Sequence, residues 1–218
     1  MRTAVNMLKQ VARKARRAKF TMSGQNSRPV ADFPRKLHLG CGPRRADGYC
    51  NVDITPRDTV DITDDVSKLS RFPDNYATAI YACHVLEHFS HEECKQVLRN
   101  WFRVLAPGGE IRISVPDIDR IVKIYMKNWD HFQKEPHTPW IGLLYGGQTD
   151  QYDYHKTGFN FCWMRYLLKE IGFTDVAEYP HAPHFLGEGF YDASLAHEPF
   201  GEYLSLNVIA RKPAANDR

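Results

Sequence analysis

Eighteen residues, from Lys36 to Asp53, read KLHLGCGPRRADGYCNVD and constrain the chain more than any other stretch. Leu37-His38-Leu39 is an apolar run of strand length, and Gly40-Cys41-Gly42 follows it with no spacer. A second apolar run then ends in a carboxylate, Asp53, eleven residues after Gly42. Glycines directly behind a strand remove the Cβ that would hold a ligand off the backbone. A carboxylate at the end of the neighbouring strand is placed to accept hydrogen bonds from two adjacent hydroxyls, as on a ribose. The pyrophosphate fingerprint is incomplete, because its third glycine is replaced by Arg45 and Ala46 follows. The stretch therefore describes a pocket for a nucleoside without phosphates, with Leu39, Gly40, Cys41, Gly42, Asp53 and Ile54 around it.

The same spacing limits the fold. Short apolar runs alternate with helical periods from residue 35 onward, the pattern of an α/β, Rossmann-like and mostly parallel sheet covered by helices. Parallel neighbours ordinarily need a dozen or more residues to cross over. Here only ten lie between Gly42 and Asp53, and five between Ile54 and Val60, so the early helices must be shortened or lost. Strands are expected at about 36–39, 50–54, 60–62, 79–83 and 110–115, then near 174–179 and 203–211. Ser90 and Glu93 form a capping box ahead of a stripe of Cys94, Val97, Leu98, Trp101, Phe102 and Leu105, which Pro107-Gly108-Gly109 should stop. A further helix should turn Ile118, Ile121, Val122, Tyr125 and Trp129 inward, and another Met164, Leu167, Leu168 and Ile171, ended by Gly172. Residues 130–160 read as an irregular, aromatic insert.

Charge divides the chain in two. Residues 1–31 hold eight Lys or Arg and no acid; taking those from the total of 29 leaves 21 basic against 26 acidic side chains. The mildly acidic body disfavours a nucleic-acid partner. Residues 1–34 are read as a basic arm and linker, and 35–218 as one domain with 130–160 as its substrate lid. A solvated extension is the plainer reading of the arm, whose apolar side is mostly alanine. A peripheral contact with anionic lipid and a transit segment are the functional alternatives. Five cysteines with no CxxC pair fit reduced thiols and a cytoplasmic setting.

HLGCG, NVD, HVLEHF, PGG and VPD, in this order and spacing over about residues 35–127, resemble the class I S-adenosylmethionine-dependent methyltransferases, in the form of a small bacterial, type 11-like branch. The resemblance implies S-adenosylmethionine as cofactor and an antiparallel last strand. It gives Asp65 the adenine amino group and Val66 a backbone N–H for the ring, with Asp64 as fallback, and it sets His84 against the methionine part. Where the family often begins its fourth strand with Asp, this chain has Thr78 or Ala79. His155 is read as a general base, Asp117 as a substrate binder, and His88 as the third catalytic candidate. The segment Gly146–Phe161 mixes Gln, Asp, Tyr and mobile glycines, which suits a polyhydroxylated acceptor, so O-methylation of a saccharide or related cell-surface precursor is the expected reaction. A non-catalytic, cofactor-binding partner subunit is the alternative. A second one arises because His84-Val85-Leu86-Glu87-His88 matches the H-x-x-E-H signature of zinc hydrolases. It is set aside because Ser90 starts a new helix two residues later, so no metal is expected, and His181-x-x-His184 is read as a polar loop.

Overall fold

A computed structural model describes residues 28–134, 139–181, 184–196 and 201–215, so the basic arm up to residue 27 lies outside the described residues. Seven strands form one sheet in the order β3-β2-β1-β4-β5-β7-β6. They are β1 (Lys36–Leu39), β2 (Cys50–Asp53), β3 (Ile62–Thr63), β4 (Ala77–Cys83), β5 (Leu105–Pro116), β6 (Thr174–Glu178) and β7 (Ser205–Arg211). The first five pair in parallel, whereas β7 runs antiparallel to both β5 and β6. The helices are α1 (His91–Val104), α2 (Ile118–Lys127), α3 (Trp129–Phe132), α4 (Pro139–Tyr145) and α5 (Phe161–Ile171).

No helix connects β1 to β2 or β2 to β3, as the short spacings require. The buried amide of Asn51 does the connecting instead. Its Oδ1 accepts from the Ala46 N–H at 2.8 Å, and its Nδ2 lies 3.2 Å from the Ala46 carbonyl, 3.1 Å from that of Tyr49 and 3.0 Å from Asp61 Oδ2. Asp61 in turn accepts from the Asn51 N–H and pairs with Arg45. Both crossovers are thus tied to one side chain. Because Asn51 and His38 face the same side of the sheet, His38 Nδ1 can donate to Asn51 Oδ1 at 3.0 Å.

The alternation of β1, β2 and β4 separates two layers. Leu37, Leu39, Cys50, Val52, Ile80 and Ala82 pack with α1 (Cys94, Val97, Leu98, Trp101) and α5 (Met164, Leu167, Leu168) in the main core. On the opposite face, His38 stacks on Tyr81, and Phe185 and Phe190 pack around them. That loop is anchored where the Tyr81 hydroxyl donates to Asp192.

Three expectations need correction. The third strand begins at Ile62 rather than Val60, whose N–H closes a turn onto the Arg57 carbonyl at 3.1 Å. The capping box is present, but α1 ends at Val104, ahead of Pro107-Gly108-Gly109. Those residues instead bulge from β5, since Ala77 pairs with Leu105 while Ala79 pairs with Glu110. Finally, α2 buries Ile121 and Ile124, whereas Val122 is 51% exposed and Trp129 47%. Helix α2 packs on a small cluster with Phe132 and Leu204, so its apolar stripe is narrow.

The end of α1 is held by a cation from the far end of the chain. Lys212 Nζ, in a side chain that is almost wholly buried, donates to the Phe102 and Leu105 carbonyls, each at 2.7 Å, and to Asn75 Oδ1 at 2.8 Å. These carbonyls are among those that a helix C-terminus leaves without intrahelical partners. Lys212→Met is expected to lower unfolding stability by about 2–4 kcal/mol. Urea denaturation with an unchanged slope and a shifted midpoint would show it, and an unchanged midpoint would refute it.

Candidate functional site

A cleft of about 720 Å³ opens outside the carboxyl ends of β1, β2 and β4, within the size range of small-molecule sites. Its wall includes Gly40, Gly42, Asp53, Ile54, Asp65, Val66, His84 and His88. The strand-end geometry that brings them together is the crevice expected of an open parallel sheet. Leu39 and Cys41 are absent from the wall: Leu39 is fully buried, and burial, then the charge of Asp53, push the Cys41 thiol up to about 12.

Gly40 and Gly42 both take left-handed backbone, at φ of 63° and 53°. A Cβ on Gly40 would lie 2.4 Å from Val85 Cγ2, so that position is closed by packing; one on Gly42 would meet nothing within 4 Å, so the backbone there stands open. Asp53 shapes the loop, with Oδ2 accepting from the Gly42 N–H at 2.8 Å and Oδ1 from the Thr55 N–H at 2.7 Å. Each oxygen keeps a lone pair for a ligand hydroxyl.

The two adjacent acids part company. Asp64 turns away, accepting from the Arg71 N–H at 3.2 Å and from the Ser70 hydroxyl at 3.2 Å, and is not part of the wall. Asp65 is in the wall. Partial burial raises its pKa, but hydrogen bonds from Ser67 and the Lys68 ammonium outweigh this and hold the carboxyl below its usual range. It is an acceptor, as an exocyclic amine would need.

The opposite wall comes from the insert, through Thr149, Asp150, Gln151, Tyr152, Asp153 and Lys156. This loop is tied to itself: Asp153 accepts from the Thr149 hydroxyl at 2.7 Å and from the N–H groups of Gly147 and Thr149. Its far end is fastened to the turn at Leu86–His88, where the Lys156 and Thr157 N–H groups donate to the Glu87 carbonyl at 2.7 and 3.2 Å.

The catalytic candidates are spread over three places. His88 is on the cleft wall. His155 stands behind it, its ring crossing that of His88 at 74° with centroids 5.0 Å apart, and it lines a smaller cavity of about 260 Å³. Asp117 lines neither cavity; its carboxylate caps α2 through the Asp119 and Arg120 N–H groups and pairs with Arg120 Nε at 2.7 Å. His84 is held at φ 53°, a rare conformation for a side chain with a Cβ, with Nε2 2.8 Å from Ser205 Oγ. Sequence reasoning did not single out Thr55, Arg57 or Lys156, although Arg57 follows Asp53 by four residues and so had to fall near the strand end.

A family model described as a methyltransferase domain matches residues 37–113. Among solved structures, an S-adenosylmethionine-dependent methyltransferase from Archaeoglobus fulgidus is 16% identical over 84% of this chain and 88% of its own, with a TM-score of 0.51. The 1,6-didemethyltoxoflavin-N1-methyltransferase of Burkholderia thailandensis, solved with its substrate and S-adenosylhomocysteine, is 16% identical over 97% of this chain and 87% of its own, with a TM-score of 0.52. No curated protein matches. At such identities the structures establish a shared fold, and the family model adds the domain's identity over the strands that build the cleft. Residues 37–113 thus match a methyltransferase domain, and the chain as a whole shares the fold of S-adenosylmethionine-dependent methyltransferases.

Proposed function

We propose that the protein transfers a methyl group from S-adenosylmethionine to an oxygen of a small polar acceptor, a saccharide or a related precursor. The observation that carries this reading is the sharing of one cleft by the strand-end group Gly40, Gly42 and Asp53 and the polar insert loop. Asp53 would take the ribose hydroxyls, Asp65 the adenine amino group, Val66 would offer its N–H to the ring, and His84 would border the methionine part. When bound, the cofactor supplies an electrophilic methyl on a sulfonium. The chain's part is to hold an acceptor oxygen in line with it and to exclude water. Gln151, Asp150, Asp153 and Tyr152 offer hydrogen-bonding groups and an aromatic face on the acceptor side, a combination that suits a ring bearing several hydroxyls. His88 is the nearest of the three catalytic candidates to that space, with His155 behind it.

Calorimetry with S-adenosylhomocysteine checks the donor half. Asp53→Ala removes the acceptor for two loop N–H groups and for the ribose, and should weaken binding by roughly 30- to 150-fold, or about 2–3 kcal/mol. Asp65→Asn should also weaken it, whereas Asp64→Asn should leave the affinity of folded protein within about twofold. Equal losses at residues 64 and 65 would break the assignment.

The acceptor half is tested by transfer of labelled methyl to a panel of sugars, nucleotide sugars, phenols and amines. Labelling of hydroxylated acceptors, with the methyl mapped to oxygen, is the expected outcome. Transfer confined to amines or carbon would overturn the acceptor class.

A further inference from the structure

One residue of the motif His84-Val85-Leu86-Glu87-His88 is left unused by methyl transfer, Glu87. The motif is not a helix, since Leu86–His88 make a single 3-10 turn. That turn drives Glu87 inward until its side chain is 1% exposed. Neither carboxylate oxygen has a hydrogen-bond partner among the described residues. A buried carboxylate with no donor is costly and needs an answer.

Three imidazoles surround it. His155 Nε2 is 3.9 Å from Glu87 Oε1, and His84 Nδ1 is 3.2 Å from the same oxygen without the alignment of a hydrogen bond. The donor atoms of Glu87, His88 and His155 all lie within 4.8 Å of one another. On each ring the other nitrogen is already committed. His155 Nδ1 faces the Leu143 carbonyl at 2.9 Å and His88 Nδ1 the Tyr154 carbonyl at 3.2 Å. Carbonyls only accept, so both Nδ1 atoms carry the proton, and in a neutral ring Nε2 is left as a bare lone pair. Ser205 gives its hydroxyl proton to the Ala193 carbonyl and so accepts from His84 Nε2, leaving His84 Nδ1 bare as well. The unpartnered Glu87 carboxyl therefore lies among imidazole nitrogens that no other group of the described residues engages. A carbonyl behind a ring's second nitrogen is also the outer support that orients metal-binding histidines.

We propose that Glu87, His88 and His155, with His84 as a fourth donor, form a binding site for a divalent transition-metal ion. Three imidazoles and one carboxylate favour zinc, iron, cobalt or nickel over calcium or magnesium. His84 and His88 also line the cleft, so an ion held here would present a coordination position to the acceptor's oxygen. That consequence rests on the methyl-transfer reading; the binding itself does not.

The test uses the full chain. Metal content of the purified protein is measured by mass spectrometry, the metal is stripped with a chelator, and Co²⁺ is added back while its visible absorption is recorded. S-adenosylhomocysteine binding is followed in parallel as a check on folding. The expected result is one Co²⁺ per chain with the intense absorption of a low-symmetry, nitrogen-rich site, and affinity at least tenfold weaker in Glu87→Gln and in His155→Ala. Folded wild-type protein that takes up no Co²⁺ would overturn the proposal. So would equal uptake by a Glu87→Gln/His155→Ala double variant. If the variants do not fold, a rise in wild-type melting temperature with Co²⁺ supports the site, and no rise rejects it. Metal uptake without S-adenosylhomocysteine binding would instead sink the proposed function and leave the metal site standing.

Discussion

Parallel strands cannot be neighbours unless the chain returns along the sheet, and here two returns are made with almost no chain to spare. The side chain of Asn51 is what permits it. A carboxamide both donates and accepts, along two directions, and Asn51 uses both ends on the backbone of the first return and its Nδ2 also on Asp61 of the second. Without those bonds, the Ala46 N–H, in a fully buried residue, would lose the acceptor that Asn51 supplies. The registers Leu37 to Cys50 and Val52 to Ile62 depend on this tie, and so does the position of Asp53 at the cleft.

From that constraint the site follows by direction. Parallel strands end together, so Gly40, Asp53 and His84 arrive on one rim although they are far apart in the chain. The left-handed turn at His84 then bends the chain into the 3-10 turn that buries Glu87 and offers His88 to the cleft. The opposite wall is built differently, from a loop bonded to itself and then fastened on the carbonyl of Glu87. The two walls of the cleft thus share one short turn as their common support.

Much of this could be read from residue types and spacing. The glycine pair, Asp53, the capping box and the loss of early helices each depend on local chemistry that leaves a direct mark in the sequence. The choice between Asp64 and Asp65 did not, because adjacent residues in a turn differ only in direction, and that is set by where Ser70 and Arg71 lie. The inward face of α2 was misjudged for a similar reason: Val122 has the right spacing, but the helix meets only the small cluster around Phe132 and Leu204. Asp117, expected to bind substrate, instead caps α2 and pairs with Arg120 three residues on. Glu87 is the most instructive case. Its motif was recognised and the zinc-hydrolase reading set aside for want of a long helix, but the solitary 3-10 turn that buries Glu87 has no signature in the sequence.

The sheet order also has a consequence for biosynthesis. Strands β1 to β4, which frame the cleft, lie within residues 36–83, but β5 must wait for residues 205–211 before its outer edge is paired. During translation that twelve-residue strand would stand with one row of backbone groups unpaired, an invitation to wrong partners. The strand-end wall of the cleft is thus the early-maturing part of the molecule, and protection of the growing polypeptide falls on whatever shields β5 until the final strand slides in between it and β6.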